Sequence, residues 1–405
     1  MLPLSSRDRW PVIAAYASLG SANQMLWLTF TPITTPAARH FGVSENDIGW
    51  LSEIFPLLYV LLAVPAASLL DRWFRPSLAA GAILTALGGL LRLGGPSFGW
   101  ALAGQLLIAI AQPLVLNAVT GLASAYLRPG SRPLGIAIGS AGIFLGMLCS
   151  LALGSALGGG HIHALLVIDC IYGIISAAAL LLVLLIGEHR QVSGDITGLH
   201  GMRTVWQNRY IRRLAAVAFI GFGYFVAFTT WFQALLKPAH ISAPTAGWIL
   251  VATVLAGVIG SAVLPPTVTR RRAAHSFYRL AGAATCAACL LFGFWKWVPA
   301  ISVAACVSGL LLLASLPVLL EVAERLAGPA GTSATALIWL SGNAGGIVIA
   351  LLVQAVLHHP LTAFLLMAAI PLAVLIVIPG AAPDGAGSNE AEEQPPAHAI
   401  GAGGT

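Results

Sequence analysis

Six residues carry most of the chemistry this chain offers, and none of them is charged: Gln24, Trp27, Gln112, Tyr224, Phe225 and Asn343. Each lies well inside a long apolar run. Three are neutral amides, able to donate and accept hydrogen bonds. Three are aromatic rings, whose faces attract cations that have shed water, quaternary ammonium groups among them. A phosphate or carboxylate ligand would call for Arg or Lys at the same depth, and the sequence places none there. The set predicts a host for a small cationic or neutral organic solute. Rings at helical spacing also serve packing, and an interhelical hydrogen bond satisfies an amide equally well, so both readings stay open at this point. Asn117, Phe228, Trp231, Phe232, Gln233 and Trp339 extend the same character.

Ionisable residues inside apolar runs are costly and usually line a path or pair with one another. Glu53 falls about two turns into the second run, and Arg92 near the end of the third. The two are placed to pair across neighbouring helices. Asp169 has no evident partner. A change of protonation at Glu53 or Asp169 would couple movement of a solute to protons. Asp71 and Arg72 close the second run and are expected to act as a gate pair. Glu321, with Glu324 and Arg325, closes the tenth as gate or interface charges.

Catalytic patterns are missing. There is no His-Glu-x-x-His, no Ser/His pair at matching depth and no stretch long enough for a soluble catalytic domain. Cys286 and Cys289 have the spacing of a redox or metal motif, but all five cysteines fall within apolar runs, where they are expected as small packing residues. The expectation is a protein that is not an enzyme and uses no cofactor or metal.

The elements that must position these residues are apolar helices. Hydrophobic residues make up 58% of the 405, charged residues 8%, and mean hydropathy is +0.89, far outside the range of soluble domains. A spanning helix needs about 20 apolar residues. Spans are predicted near 10–36, 46–70, 77–95, 99–126, 133–157 and 162–186, then near 209–236, 244–266, 275–295, 298–323, 330–356 and 361–379. This is an all-α integral membrane protein of twelve transmembrane helices in two six-helix bundles. The first bundle covers 1–186, a cytoplasmic linker 187–208, the second bundle 209–380, and a disordered tail 381–405.

Most of the twenty Lys and Arg lie in alternate loops, the distribution of cytoplasmic segments. Both termini are therefore expected in the cytoplasm, and the net charge of +6 reads as topology rather than nucleic-acid binding. The N-terminus runs from Arg7, Arg9 and Trp10 straight into the first span, which is expected to stay as an anchor. Trp10, Trp50, Trp73, Trp100, Trp295 and Trp297 fall near span ends as interfacial anchors. Gly135, Gly139, Gly142 and Gly146 share one face of the fifth span, and Ala256, Gly257, Gly260 and Ser261 repeat the idea in the eighth. Small residues so spaced let helix backbones approach.

The stretch from Ala67 through Asp71 and Arg72 to Arg75 resembles the cytoplasmic signature of the major facilitator superfamily, with Ala67 and Phe74 where that pattern has glycines. The resemblance implies a twelve-helix secondary transporter working by alternating access, with Asp71 and Arg72 stabilising its outward-facing state. The second copy of the loop, from Pro265 to Arg272, keeps its bases without an acid. A narrower resemblance is carried by Trp50, Tyr59, Asp71, Gly104-Gln105, Ala111-Gln112, Ala256 to Ser261, Pro317 to Glu324 and Gly331 to Ser333. These are similar to the feline leukaemia virus subgroup C receptor-related branch, whose members are linked to choline, ethanolamine and haem.

That branch resembles passive facilitators with a Trp, a Gln and a Tyr around the ligand. Gln112 matches the family Gln. The family Trp falls on Met25, with Trp27 two residues later, and the family Tyr falls on Phe225, beside Tyr224. His161, His163, His240, His358 and His359 lie in outer loops, which disfavours haem. The expected partners are a small-molecule substrate, a choline-like amine favoured, and membrane lipid, with protons as a candidate coupling ion, no nucleic acid, and a monomeric state in a bacterial inner membrane. The rivals are a proton-coupled efflux antiporter and a non-transporting receptor.

Overall fold

A computed structural model describes residues 8–128, 131–157, 160–186, 199–271, 273–327 and 331–378. They form fifteen helices. α1 (Trp10–Leu28), α2 (Thr34–Phe41), α3 (Glu45–Arg72), α4 (Phe74–Leu91), α5 (Phe98–Leu116), α6 (Val119–Tyr126), α7 (Arg132–Leu157) and α8 (Ile162–Ile186) come first. α9 (Leu199–Gln207) is a short amphipathic piece. α10 (Arg209–Leu236), α11 (Ala243–Arg270), α12 (Ala274–Phe294), α13 (Val298–Ala327), α14 (Gly331–Ala355) and α15 (Pro360–Val377) follow. We call the end of the bundle where α1 starts and α15 stops proximal, and the opposite end distal.

Eleven of the described helices are long and apolar enough to cross a membrane. The remaining long helix, α1, falls short in hydropathy because Ser18, Ser21, Asn23 and Gln24 interrupt it. Every residue from Leu19 to Leu28 is buried, so α1 answers to a protein interior rather than to lipid. α10 is its counterpart, buried without a break from Gly223 to Leu236. Large apolar side chains such as Leu61, Leu185 and Ile376 face outward, while Trp73, Trp100, Trp295 and Trp297 stand exposed near helix ends, as interfacial rings do.

Two predicted spans are broken. The run 10–36 stops at Leu28, turns through a 3₁₀ segment Thr31–Ile33 and restarts as α2. Pro32 accounts for the stop, having no N–H to offer the Leu28 carbonyl one turn back; Thr29 Oγ1 lies 3.2 and 3.1 Å from the Met25 and Leu26 carbonyls. Gly42, at φ +67°, ends α2 in the left-handed conformation glycine adopts without strain. The run 99–126 divides at Asn117–Ala118, one turn after Pro113, which leaves a carbonyl of the preceding turn without its donor. α3 starts on a full capping box: Ser44 Oγ accepts from Asp47 N at 3.2 Å, and the Asp47 carboxylate accepts from Ser44 N at 2.9 Å.

α1 packs on α7 and α8, α4 on α5 and α8, and α3 on α5. Later in the chain α10 packs on α14, α11 on α13, and α12 on α13 and α15. The two sets meet where α7 touches α11 and α3 touches α14. Glycine makes the closest approaches. A Cβ on Gly146 would run into the backbone of Ser21, and one on Gly345 into the backbone of Phe219. The same device closes α7 on α1 and α14 on α10, as the glycine spacing in α7 predicts.

Candidate functional site

A cavity of about 210 Å³ lies between the two helix sets. Gln24 and Trp27 of α1, Gln112 of α5, Tyr224 and Phe225 of α10, and Asn343 of α14 all line it. All six residues proposed from sequence are thus brought to one space, from four helices. The cavity runs from Trp27 and Phe225 toward the proximal end, bordered there by Val119, Val217, Leu319 and Val374. No Asp, Glu, Lys, Arg or His lines it among the described residues.

The rings are held by their neighbours. Trp27 stacks on Phe55 at 5.8 Å between centroids and donates its indole N–H to the Ser52 carbonyl at 2.9 Å. Tyr224 stacks on Phe228 at 5.8 Å and its hydroxyl meets Cys289 Sγ at 3.0 Å. Phe222 meets Trp339 edge-on at 5.6 Å. The Gln112 side chain makes no hydrogen bond with a described residue, whereas Asn343 donates its side-chain NH₂ to the Trp339 carbonyl at 2.9 Å. Sequence reasoning missed Tyr59 as a lining residue: its hydroxyl donates to Asn117 Oδ1 at 2.8 Å, and both border the cavity. The signal was Asn117 itself, an amide with no mate along its own helix.

Distal to the cavity the two sets are tied together. Thr230 Oγ1 donates to Glu53 Oε1 at 2.9 Å. Thr35 N donates to Gln233 Oε1 at 2.9 Å, and Gln233 Nε2 to Thr35 Oγ1 at 3.2 Å. Lys237 Nζ pairs with Glu45 Oε1 at 2.6 Å. The Trp231 side chain, fully buried, wedges against Gly49 and donates to the Ala350 carbonyl at 3.1 Å. This end is closed by polar contacts around an aromatic plug.

The charged residues correct the sequence reading. Arg92 pairs with Asp169 at 2.9 Å, both side chains wholly buried, and not with Glu53. Arg92 ends α4, which packs on α8, whereas Glu53 projects from α3 toward α10. Thr29 completes the cluster, donating to Asp169 Oδ2 at 2.6 Å and accepting from Arg92 Nη1 at 2.9 Å. Arg92 also reaches the Leu26 carbonyl at 3.3 Å and Gln105 Oε1 at 3.5 Å. The cluster therefore braces the break after α1, one turn from Trp27. Arg72 is exposed, its guanidinium 4.7 Å from the Trp73 ring centroid. The Asp71 side chain lies outside the described residues, as do those of Glu324 and Arg325. Glu321 is exposed near the proximal end of α13.

The sequence profile of the Major Facilitator Superfamily matches residues 13–350. Solute carrier family 49 member A3 of Danio rerio is 29% identical over 374 residues, 86% of this chain and 78% of that protein. The human Choline/ethanolamine transporter FLVCR2 is 30% identical over 125 residues, 30% of this chain and 24% of its own length. Among solved structures, the nucleoside transporter NupG in a mutant form superposes with a TM-score of 0.72 at 13% identity, covering 91% of this chain and 98% of that one. A bacterial homologue of the human lysosomal transporter Spinster, inward-facing and unoccupied, gives 0.66 at 16%, covering 91% and 94%. With the helices, their packing and the profile in agreement, this multi-pass membrane chain belongs to the Major Facilitator Superfamily.

Proposed function

We propose that the chain is a secondary transporter that moves a small organic cation or neutral solute, a choline-like amine favoured, by alternating access. The observation that carries this is the cavity: aromatic rings and neutral amides from both helix sets line it among aliphatic side chains, with no charged side chain among the described residues. Ring faces and amide oxygens stabilise a poorly hydrated ammonium group without a carboxylate. The partial match to a choline/ethanolamine transporter supports the same class.

The two sets act as two six-helix bundles, 1–186 and 209–380, joined by a linker at 187–208. With both termini in the cytoplasm, the proximal end is cytoplasmic, and the conformation described is inward-facing with its outer gate closed. Asp71 and Arg72 then belong to the inner gate, formed when the cavity opens outward. A single chain holds the complete path, so the working unit is a monomer, surrounded by lipid in a cell membrane.

Titration calorimetry of the detergent-purified chain with choline and ethanolamine, followed by proteoliposome uptake, tests this reading. Saturable uptake is expected, with affinity lowered about tenfold in Gln112→Ala by loss of one hydrogen bond. Unaltered kinetics in Gln112→Ala and Trp27→Ala would remove the cavity from the path. Proton-coupled efflux is favoured by one observation. Glu53 is buried at the contact between the sets and its Oε2 has no partner among the described residues. Solute uptake that makes the vesicle lumen alkaline in the wild type, as antiport of protons requires, but not in Glu53→Gln would establish it.

A further inference from the structure

Asn23 and Gln24 are neighbours in α1, and only Gln24 borders the cavity. The polarity of the pair is set from behind by a backbone carbonyl. Ile108 of α5 presents its oxygen 3.2 Å from the Asn23 side-chain nitrogen. A carbonyl only accepts, so the Asn23 group facing it is the NH₂. The same NH₂ reaches Thr85 Oγ1 at 3.3 Å, and the Thr85 hydrogen goes on to the Gly81 carbonyl at 2.8 Å. Asn23 Oδ1 is left as an acceptor and takes the Gln24 Nε2 donor at 3.3 Å. Turning Gln24 over would set two amide oxygens against each other beside Asn23 and Thr85, both wholly buried, where an unpaired polar atom is costly. With Nε2 held at Asn23 by one of its two hydrogens, the amide is fixed in orientation and its Oε1, to which no described residue bonds, is the acceptor left over.

Asn343 repeats the logic from the other helix set. One hydrogen of its NH₂ goes to the Trp339 carbonyl, which fixes the orientation of the amide and leaves Oδ1 as an acceptor unbonded among the described residues. Tyr59 and Ser315, also in the lining, spend their hydroxyl hydrogens on Asn117 and on the Leu311 carbonyl. Asn117 is turned the other way, its Oδ1 taken by Tyr59, and the Gln112 side chain is unbonded among the described residues, so the fixed acceptors of the lining are those of Gln24 and Asn343.

We propose that Gln24 and Asn343 are locked with their oxygens as acceptors, so that at these two points the cavity recognises a hydrogen-bond donor of the solute, an ammonium N–H or a hydroxyl, and that Asn23 is the positioning residue for Gln24. This rests on the cavity being the solute site, as argued above. An amide free to rotate offers either end and discriminates little. A fixed one turns its lone pairs toward an ether oxygen and rejects it.

The test is equilibrium binding to the full chain in detergent with two probe pairs. One is choline against its O-methyl ether; the other is 1,3-propanediol against its dimethyl ether, which carries no charge. Wild type is expected to prefer the donor-bearing member of each pair that binds by about tenfold, the worth of one net hydrogen bond. Gln24→Met, near in volume and without the acceptor, brings the ratio close to one. Asn23→Leu does the same without touching the solute. Thr85→Val gives a smaller fall and serves where Asn23→Leu does not fold. A general loss of stability would weaken both members of a pair together and leave the ratio unchanged. Equal binding of alcohol and ether by wild type overturns the proposal, as does a ratio unchanged in Gln24→Met and Thr85→Val. Discrimination within the neutral pair, with no binding of choline or its ether, keeps donor selection and removes the amine reading. Failure of every probe to bind overturns both.

Discussion

Arg92 and Asp169 sit where a charge is hardest to keep, both side chains at 0% exposure. Breaking such a pair leaves the survivor uncompensated, at a cost of about 3–5 kcal/mol, whereas replacing both partners by apolar side chains of similar volume is often tolerated. Arg92→Leu is therefore expected to lower the thermal unfolding temperature sharply. Arg92→Leu combined with Asp169→Leu is expected to recover most of that loss in the same assay. The residual difference reports what Arg92 adds through the Leu26 carbonyl and Thr29 at the break after α1.

Asp8 gives the pH-dependent counterpart outside the spans. Its carboxylate accepts from the Arg128 backbone N–H at 2.7 Å, from the Ser131 hydroxyl at 2.7 Å and from the Arg128 guanidinium at 3.2 Å. The backbone donor leads in holding its pKa down from 3.8 to about 2. A carboxylate lowered in the folded state stabilises above its unfolded pKa and loses that contribution as pH falls through the folded one. The gap in unfolding temperature between wild type and Asp8→Asn should be full at neutral pH and close between 3.8 and about 2. At this scale the sequence was partly legible. The amides and rings of the cavity stood out because polar groups within apolar runs are few. The partner of Arg92 did not, because depth along a helix says nothing about which neighbour that helix faces.

At the scale of elements, glycine substitutions separate close packing from propensity. Gly20 on α1 and Gly146 on α7 lie in helices packed against each other, yet a methyl at Gly20 meets only Ile143 at 3.9 Å, ordinary contact, while one at Gly146 collides with the Ser21 backbone. Gly20→Ala is expected to be neutral or to stabilise by up to about 1 kcal/mol through helix propensity. Gly146→Ala is expected to force the helices apart and to reduce yield and monodispersity in size-exclusion chromatography. Helix positions were legible to within a few residues because hydropathy reports the length of each apolar run. The breaks at Thr29 and Asn117 were not, since both residues lie inside runs that remain apolar on average. Only Pro32, shortly after Thr29, and Pro113, one turn before Asn117, mark where the backbone turns.

For the whole molecule, the distal contacts hold the two helix sets together at that end. Lys237 and Glu45 pair at the surface, their side chains 48% and 24% exposed, and a surface pair is worth about 0–1 kcal/mol. Gln233 is buried and makes two hydrogen bonds to Thr35. Lys237→Ala is expected to raise hydrogen–deuterium exchange in residues 31–48 only modestly, and Gln233→Ala by a larger factor. Identical protection in both variants would mean that the Trp231 plug alone holds this end shut.

The absence of charge from the cavity lining has an electrical consequence. A site without fixed charge brings no countercharge across with its cargo, so a monovalent cation passing through it crosses the full membrane voltage alone. That voltage is worth about 2.3 kcal/mol per charge at 100 mV, roughly a fiftyfold concentration ratio at equilibrium. A neutral solute using the same path would only level out. The voltage of the cell would thus decide which of these solutes accumulate.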